Sequence, residues 1–201
     1  MQLSKSLRWI ILLEIAIPMT LLILGIYNGL MQTLYRSGVI EANSILNITY
    51  YQGLTIHGVI NALVFTTFFA VAFGNAIMAY YLDKRLNPFY NWLSFGLMVL
   101  GTLLSSYAML SGQASVLYTF YPPLKAHPTF YMGAALLVVG SWVAFFNWIR
   151  PYLQWRRENP EQKTPLAVVG NLANFTIWLI ASLPVAYEII VILLPWSLGY
   201  V

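Results

Sequence analysis

Five long apolar stretches decide what this chain can fold into, at residues 7–31, 53–82, 89–112, 129–150 and 166–198. At about 1.5 Å of rise per residue, each is long enough to cross a hydrocarbon layer about 30 Å thick. The backbone must satisfy its own hydrogen bonds in lipid, which leaves helices or a closed barrel. Unbroken apolar runs lack the alternation of barrel strands, so the expected fold is all-α, a five-span transmembrane bundle. The composition agrees: 60% of residues are hydrophobic and 8% charged, against about 25% charged in a soluble domain. Residues 1–201 read as one membrane domain, with the lipid bilayer as its main partner. The first stretch, behind Lys5 and Arg8, is too long for a signal peptide and has no small-residue cleavage site after it.

The connectors differ sharply in charge. Lys5, Arg8, Lys84, Arg85, Arg150, Arg156, Arg157 and Lys163 fall on one side; only Arg36 and Lys125 fall on the other. The positive-inside rule therefore places the N-terminus in the cytoplasm and Val201 outside. The formal charge of +4 is a topology signal, spread over short loops, and nucleic acid is excluded as a partner. Two outer loops carry the turn chemistry. The segment from Gln32 to Gln52 contains Gly38, Asn43, Ser44 and Asn47, and that from Ser111 to Pro128 contains Gly112 and the Pro122-Pro123 pair. The proline pair is expected to impose an extended backbone and to bar continuous helix.

With no cysteine and two histidines, thiolate chemistry and iron–sulfur clusters are ruled out for this chain. His57 lies within the second span, about one turn inside its outer end. A buried imidazole needs a partner or a metal. Gly53 and Gly58 remove side chains beside it, making room for a flat macrocycle or another helix. The residues alone leave two readings open, a ligand and a histidine bonded to a neighbouring helix. His127, before Pro128, reads as a loop histidine, although a haem clasped by His57 and His127 is not forbidden. Glu14 in the first span and Glu188 in the fifth, among Pro184, Tyr187 and Pro195, are intramembrane carboxyls. They belong to a proton path or to a hydrogen-bonded interior, and are expected to face protein or water. Thr55, Asn61, Thr66, Thr67 and Asn75 on the second span, and Gly101, Ser105 and Ser106 on the third, fit helix-to-helix contact.

The run from Leu54 to Thr66, with Leu54-Thr55-x-His57-Gly58-Val59-x-Asn61-Ala62, resembles the second helix of haem-copper oxidase subunit I, above all its B-type members. The run from Leu117 to Lys125 resembles that family's loop between helices three and four, where A-type members carry Trp in place of Tyr118. The run from Leu193 to Gly199 resembles the outer end of helix five. The resemblance implies that His57 is an axial ligand of the low-spin haem. It also implies that Tyr118, Tyr121 and Lys125 lie near the haem propionates, where cationic donors and water are wanted.

The family's subunit continues well beyond five helices. Its copper ligands, its high-spin haem ligand and the second low-spin ligand match nothing in this chain. The resemblance therefore implies a chain that is inactive alone. The remainder of subunit I, as a separate chain or as missing sequence, would supply those ligands. Subunit II, with an electron-entry copper site, and cytochrome c or quinol would be further partners. The complete enzyme would reduce dioxygen to water and pump protons in a prokaryotic cell membrane. Competing expectations are a nitric oxide reductase, a small bis-histidine cytochrome and a cofactor-free transporter subunit.

Overall fold

The computed structural model describes residues 3–41 and 48–200. Val201 and the loop residues Asn43, Ser44 and Asn47 lie outside them. The described residues form five membrane-length helices and no strand: α1 (Lys5–Arg36), α2 (Tyr50–Leu82), α3 (Pro88–Leu110), α4 (Pro128–Glu158) and α5 (Leu166–Leu198). The chain is a multi-pass membrane protein.

The helix starts follow local chemistry. Ser4 caps α1 by accepting from Leu7 N–H. Thr49 and Gln52 form a reciprocal capping box at the head of α2, which starts that helix three residues earlier than its apolar run. Asn87 and His127 cap α3 and α4, each followed by a proline whose missing N–H costs nothing in the first turn. The fourth helix also runs past the expected end at residue 150. Pro151 is accommodated inside it, and Arg156 and Arg157 close its last turn, where cations suit the helix dipole. At the end of the bundle where α1 begins, Lys84 pairs with Glu158 and Trp92 Nε1–H donates to Ser6 Oγ over 2.9 Å.

Close packing is built on missing side chains. A Cβ at Gly101 would lie 2.5 Å from the Gly133 carbonyl oxygen, and one at Gly140 would lie 2.7 Å from Met98 Cγ. So α3 and α4 meet backbone to backbone. Ser94 Oγ donates to the Gly140 carbonyl over 2.7 Å and Ser105 Oγ to that of Phe130 over 3.1 Å. Gly101 and Ser105 thus hold two helices together, as expected. Thr66 does not: its hydroxyl turns back to the Ala62 carbonyl of its own helix.

Two stretches are wound as π-helix, Val59–Phe65 in α2 and Ile189–Leu193 in α5. Each begins within two residues of a candidate site residue, His57 in one case and Glu188 in the other. Such widened turns are uncommon and gather at functional sites. Apolar periodicity does not reveal them, because both runs are almost wholly apolar and show no polar face to count by.

Candidate functional site

His57 sits about two turns into α2, one turn deeper than its apolar run implies, because the capping box extends the helix to Tyr50. Its imidazole lies in a trough on α1. A Cβ at Gly29 would come within 2.6 Å of Cε1 and 2.7 Å of Nδ1. The trough therefore exists only because residue 29 has no side chain. Nδ1 lies 2.8 Å from the Gly25 carbonyl oxygen. A carbonyl can only accept, so this contact calls for the ring proton on Nδ1, which leaves Nε2 its lone pair. Nε2 has no hydrogen bond to the described residues.

The glycine that makes room for the ring is thus Gly29, not Gly53 or Gly58; Gly25 offers its carbonyl, and the space at its Cβ position is taken by Asn61. The space at Gly53 is taken by the side chains of Asn28 and Gln32 from α1, with Asn28 Oδ1 3.0 Å from the Cβ position. The space at Gly58 is taken by Tyr118, whose Cβ lies 2.6 Å from that position. Of the two uses expected for these glycines, approach of another helix holds at Gly53, and a loop fills the space at Gly58. Gly25 and Gly29 were legible as a small-x-x-x-small pair in the first span. The signal was in the sequence, but it points to no particular partner.

The loop between α3 and α4 crosses α2 on either side of His57. Leu117 N–H donates to Thr55 Oγ1 over 2.8 Å, two residues before the histidine, and Tyr118 packs on Gly58, one residue after it. Leu117 and Phe120 have φ of 65° and 43°, a left-handed backbone that costs an ordinary residue energy and persists only when its surroundings fix it. Here the Thr55 bond fixes the first. Burial of Phe120 edge-on against Phe130, with ring centroids 5.9 Å apart, fixes the second. The Pro122-Pro123 pair forms a turn through a cis peptide, not the extended segment expected. Proline fixes φ but leaves ψ open, so the pair alone does not dictate an extended run.

The same loop reaches α5. Tyr121 OH donates to Glu188 Oε2 over 2.8 Å. That carboxylate pushes the Tyr121 phenol above its ordinary value, with partial burial and the nearby negative charge adding to the effect. Lys125 Nζ stands 5.3 Å from the centre of the Trp196 ring, within cation–π range. Tyr118, Tyr121 and Lys125 therefore share one loop but have three separate partners: the turn of α2 carrying His57, Glu188, and Trp196. Glu188 is half-buried and faces this loop.

Glu14 belongs to a different place. It is fully buried, and Asn75 Nδ2 donates to both its carboxyl oxygens, over 3.3 and 3.1 Å. Trp148 Nε1–H in turn donates to Asn75 Oδ1 over 2.9 Å. Trp148 reaches that position across Gly74, where a Cβ would meet its ring at 2.2 Å. The result is a chain of hydrogen bonds linking α1, α2 and α4 inside the bundle. His127 is exposed and acts as the cap of α4, its Nδ1 2.9 Å from Thr129 Oγ1.

Among the described residues no group of three or more His, Cys, Asp or Glu side chains could hold a metal ion. What the site offers is one imidazole with its inner nitrogen anchored. That suits a single axial bond to a metal whose other ligands come from elsewhere, as in a haem.

Residues 9–201 match the family model described as cytochrome c and quinol oxidase polypeptide I. Among curated proteins, the cytochrome c oxidase subunit 1 of Thermus thermophilus is 41% identical over 153 residues, 76% of this chain. A solved heme-copper terminal oxidase dimer contains a chain with 57% identity, which superposes on 99% of this chain with a TM-score of 0.96. This chain spans 27% of the Thermus protein and 34% of the solved chain.

Proposed function

Since this chain belongs to the cytochrome c and quinol oxidase polypeptide I family, we propose that it is the part of a respiratory oxidase subunit I that supplies one axial ligand, His57, to a low-spin haem. The observation that carries this is the 2.8 Å contact between His57 Nδ1 and the Gly25 carbonyl, in a trough that Gly29 keeps open. It supports a ring held with its proton on Nδ1, in which Nε2 would be the nitrogen that binds iron. The bound haem supplies a one-electron relay.

The chain's own residues do the positioning. Gly25 and Gly29 set the depth of the imidazole. Thr55 and Gly58 hold the α3–α4 loop across α2, and Tyr118, Tyr121 and Lys125 stand on that loop as the polar roof over the haem propionates. Glu14 and Glu188 are held by hydrogen bonds within the bundle and at its loop face, which supports a structural role at least as well as a proton path.

The rest of the enzyme belongs to the same proposal. The remainder of subunit I supplies the second low-spin ligand, the high-spin haem ligand and the copper ligands. Subunit II carries the electron-entry copper site, and cytochrome c or quinol is the electron donor. The assembled enzyme reduces dioxygen to water and pumps protons across a prokaryotic cell membrane, with the N-terminus of this chain cytoplasmic. The Leu54 to Asn61 pattern favours the B-type branch.

The test is a pair of substitutions in the full complex. His57→Ala is expected to abolish the low-spin haem absorption, while His127→Ala, which removes only a helix cap, leaves it intact. A six-coordinate haem spectrum that survives His57→Ala contradicts the proposal, and one lost with His127→Ala supports a bis-histidine cytochrome instead.

A further inference from the structure

Asn61 lies one turn after His57 on α2, inside the π-helical stretch. Its Nδ2 is 3.0 Å from His57 Nδ1, and its Oδ1 is buried with no hydrogen-bond partner among the described residues. The same Nδ1 is 2.8 Å from the Gly25 carbonyl. These facts conflict. A proton on Nδ1 satisfies Gly25 but sets two donors, Nδ1–H and the Asn61 amide N–H, against each other. A bare Nδ1 satisfies Asn61 but faces the Gly25 oxygen with a lone pair. Both conflicts have one resolution. The two ends of a carboxamide are nearly the same size and are assigned from their partners. Turning the Asn61 amide over puts Oδ1 beside Nδ1–H, gives the orphaned oxygen a donor, and leaves the Gly25 bond untouched. The amide nitrogen then faces the α1 backbone at Gly25, where the absence of a side chain admits the group: a Cβ there would come within 2.1 Å of the atom that now occupies this position.

We propose that Asn61 is a positioning residue for the haem ligand: its carboxamide oxygen shares the His57 Nδ1 proton with the Gly25 carbonyl. This rests on the axial-ligand role proposed for His57. Two acceptors on one N–H hold the ring plane from two directions, one on α1 and one on α2. They also pull electron density toward Nε2, making it a stronger donor to iron. A stronger donor favours the ferric state and lowers the reduction potential. Asn61 thus acts on the haem through its ligand.

The experiment compares Asn61→Leu and Asn61→Asp in the assembled oxidase, read by redox titration of the low-spin haem and by the electron paramagnetic resonance of its ferric state. Leu removes the acceptor and is expected to raise the midpoint potential. Asp replaces it with an anionic acceptor and is expected to lower it. A residue that merely fills space has no reason to move the potential in opposite directions. Asn61→Gln, which keeps a carboxamide, is expected to stay closest to wild type. If the Asp variant does not assemble, the sign of the Leu shift relative to Gln decides. Unchanged potential and resonance in the assembled variants overturn the role of Asn61, as does a Leu shift to lower potential. His57→Ala serves as the control: if the low-spin signal survives it, the ligand assignment itself has failed, whatever the Asn61 variants show.

Discussion

The Cβ position of Gly29 lies 2.6 Å from the His57 ring, so the first helix can hold the imidazole only by having no side chain at that point. Glycine in a helix interior normally costs about 0.5–1 kcal/mol against alanine. At this position the cost is offset by a contact that alanine cannot make. Gly29→Ala must move the ring or the helix, and overpacking of this kind typically costs about 1–3 kcal/mol. The expected outcome is loss or distortion of the low-spin haem band in purified enzyme. Gly96→Ala, where nothing lies within 4 Å of the Cβ position, is expected to leave the band unchanged. Equal spectra for the two variants would contradict the trough.

The buried carboxyl of Glu14 depends on Asn75, which also accepts from Trp148. Asn75→Leu strands a carboxyl and an indole N–H inside the bundle, at about 1–3 kcal/mol for each buried group left without a partner. Thermal unfolding in detergent is expected to shift clearly downward for Asn75→Leu. Glu14→Gln, which keeps a polar partner for the Asn75 amide, is expected to shift less. A Glu14→Gln effect equal to or larger than that of Asn75→Leu would show that the charge or proton of Glu14, not the hydrogen-bonded chain, is what matters.

The Tyr121 phenol is held above its ordinary value, chiefly by its hydrogen bond to Glu188. A raised value means that the neutral phenol is favoured in the folded protein. The stabilisation is therefore fully present below the pKa of a free tyrosine and is lost as pH rises through the folded value. In an alkaline titration followed by phenolate absorbance, the difference between wild type and Tyr121→Phe is expected to show one phenol ionising late. Glu188→Gln should bring it back toward the ordinary range. A phenol that titrates normally in wild type would mean that the bond from the loop to α5 does not form.

The proposed topology rests on the basic residues in the connectors on one side. A reporter fused after Lys163 is expected to report the cytoplasm, and one fused after Tyr200 the opposite side. The same side for both would contradict a fifth span; a swap of the two would invert the proposed orientation.

The five helices were legible because lipid leaves the chain few alternatives, and apolar length measures them directly. Their ends were less so. Thr49-x-x-Gln52 is a readable capping box, yet it lies in a polar segment that hydropathy assigns to the loop, and Pro151 reads as a stop that the fourth helix in fact passes through. His57 stood out because a lone imidazole in a span demands an explanation. Its surroundings did not, since the glycines that shape them are on another helix, and spacing along α1 cannot say what lies against it. The π-helical turns after His57 and Glu188 depend on backbone winding that residue types do not reveal; the i, i+4 spacing of His57 and Asn61 puts them on one face, but does not say which end of the amide meets the ring. Glu14 was recognisable as an interior carboxyl, but its partners Asn75 and Trp148 come from α2 and α4, and only the packed bundle brings them together.

The proposed bond between His57 and haem iron is tested most directly by replacing His57 with glycine in the full complex. The ferric low-spin resonance is then recorded before and after adding free imidazole. The signal is expected to disappear in His57→Gly and to return when imidazole enters the vacated trough beside Gly29 and Gly25. A low-spin signal that persists in His57→Gly without imidazole would contradict the bond.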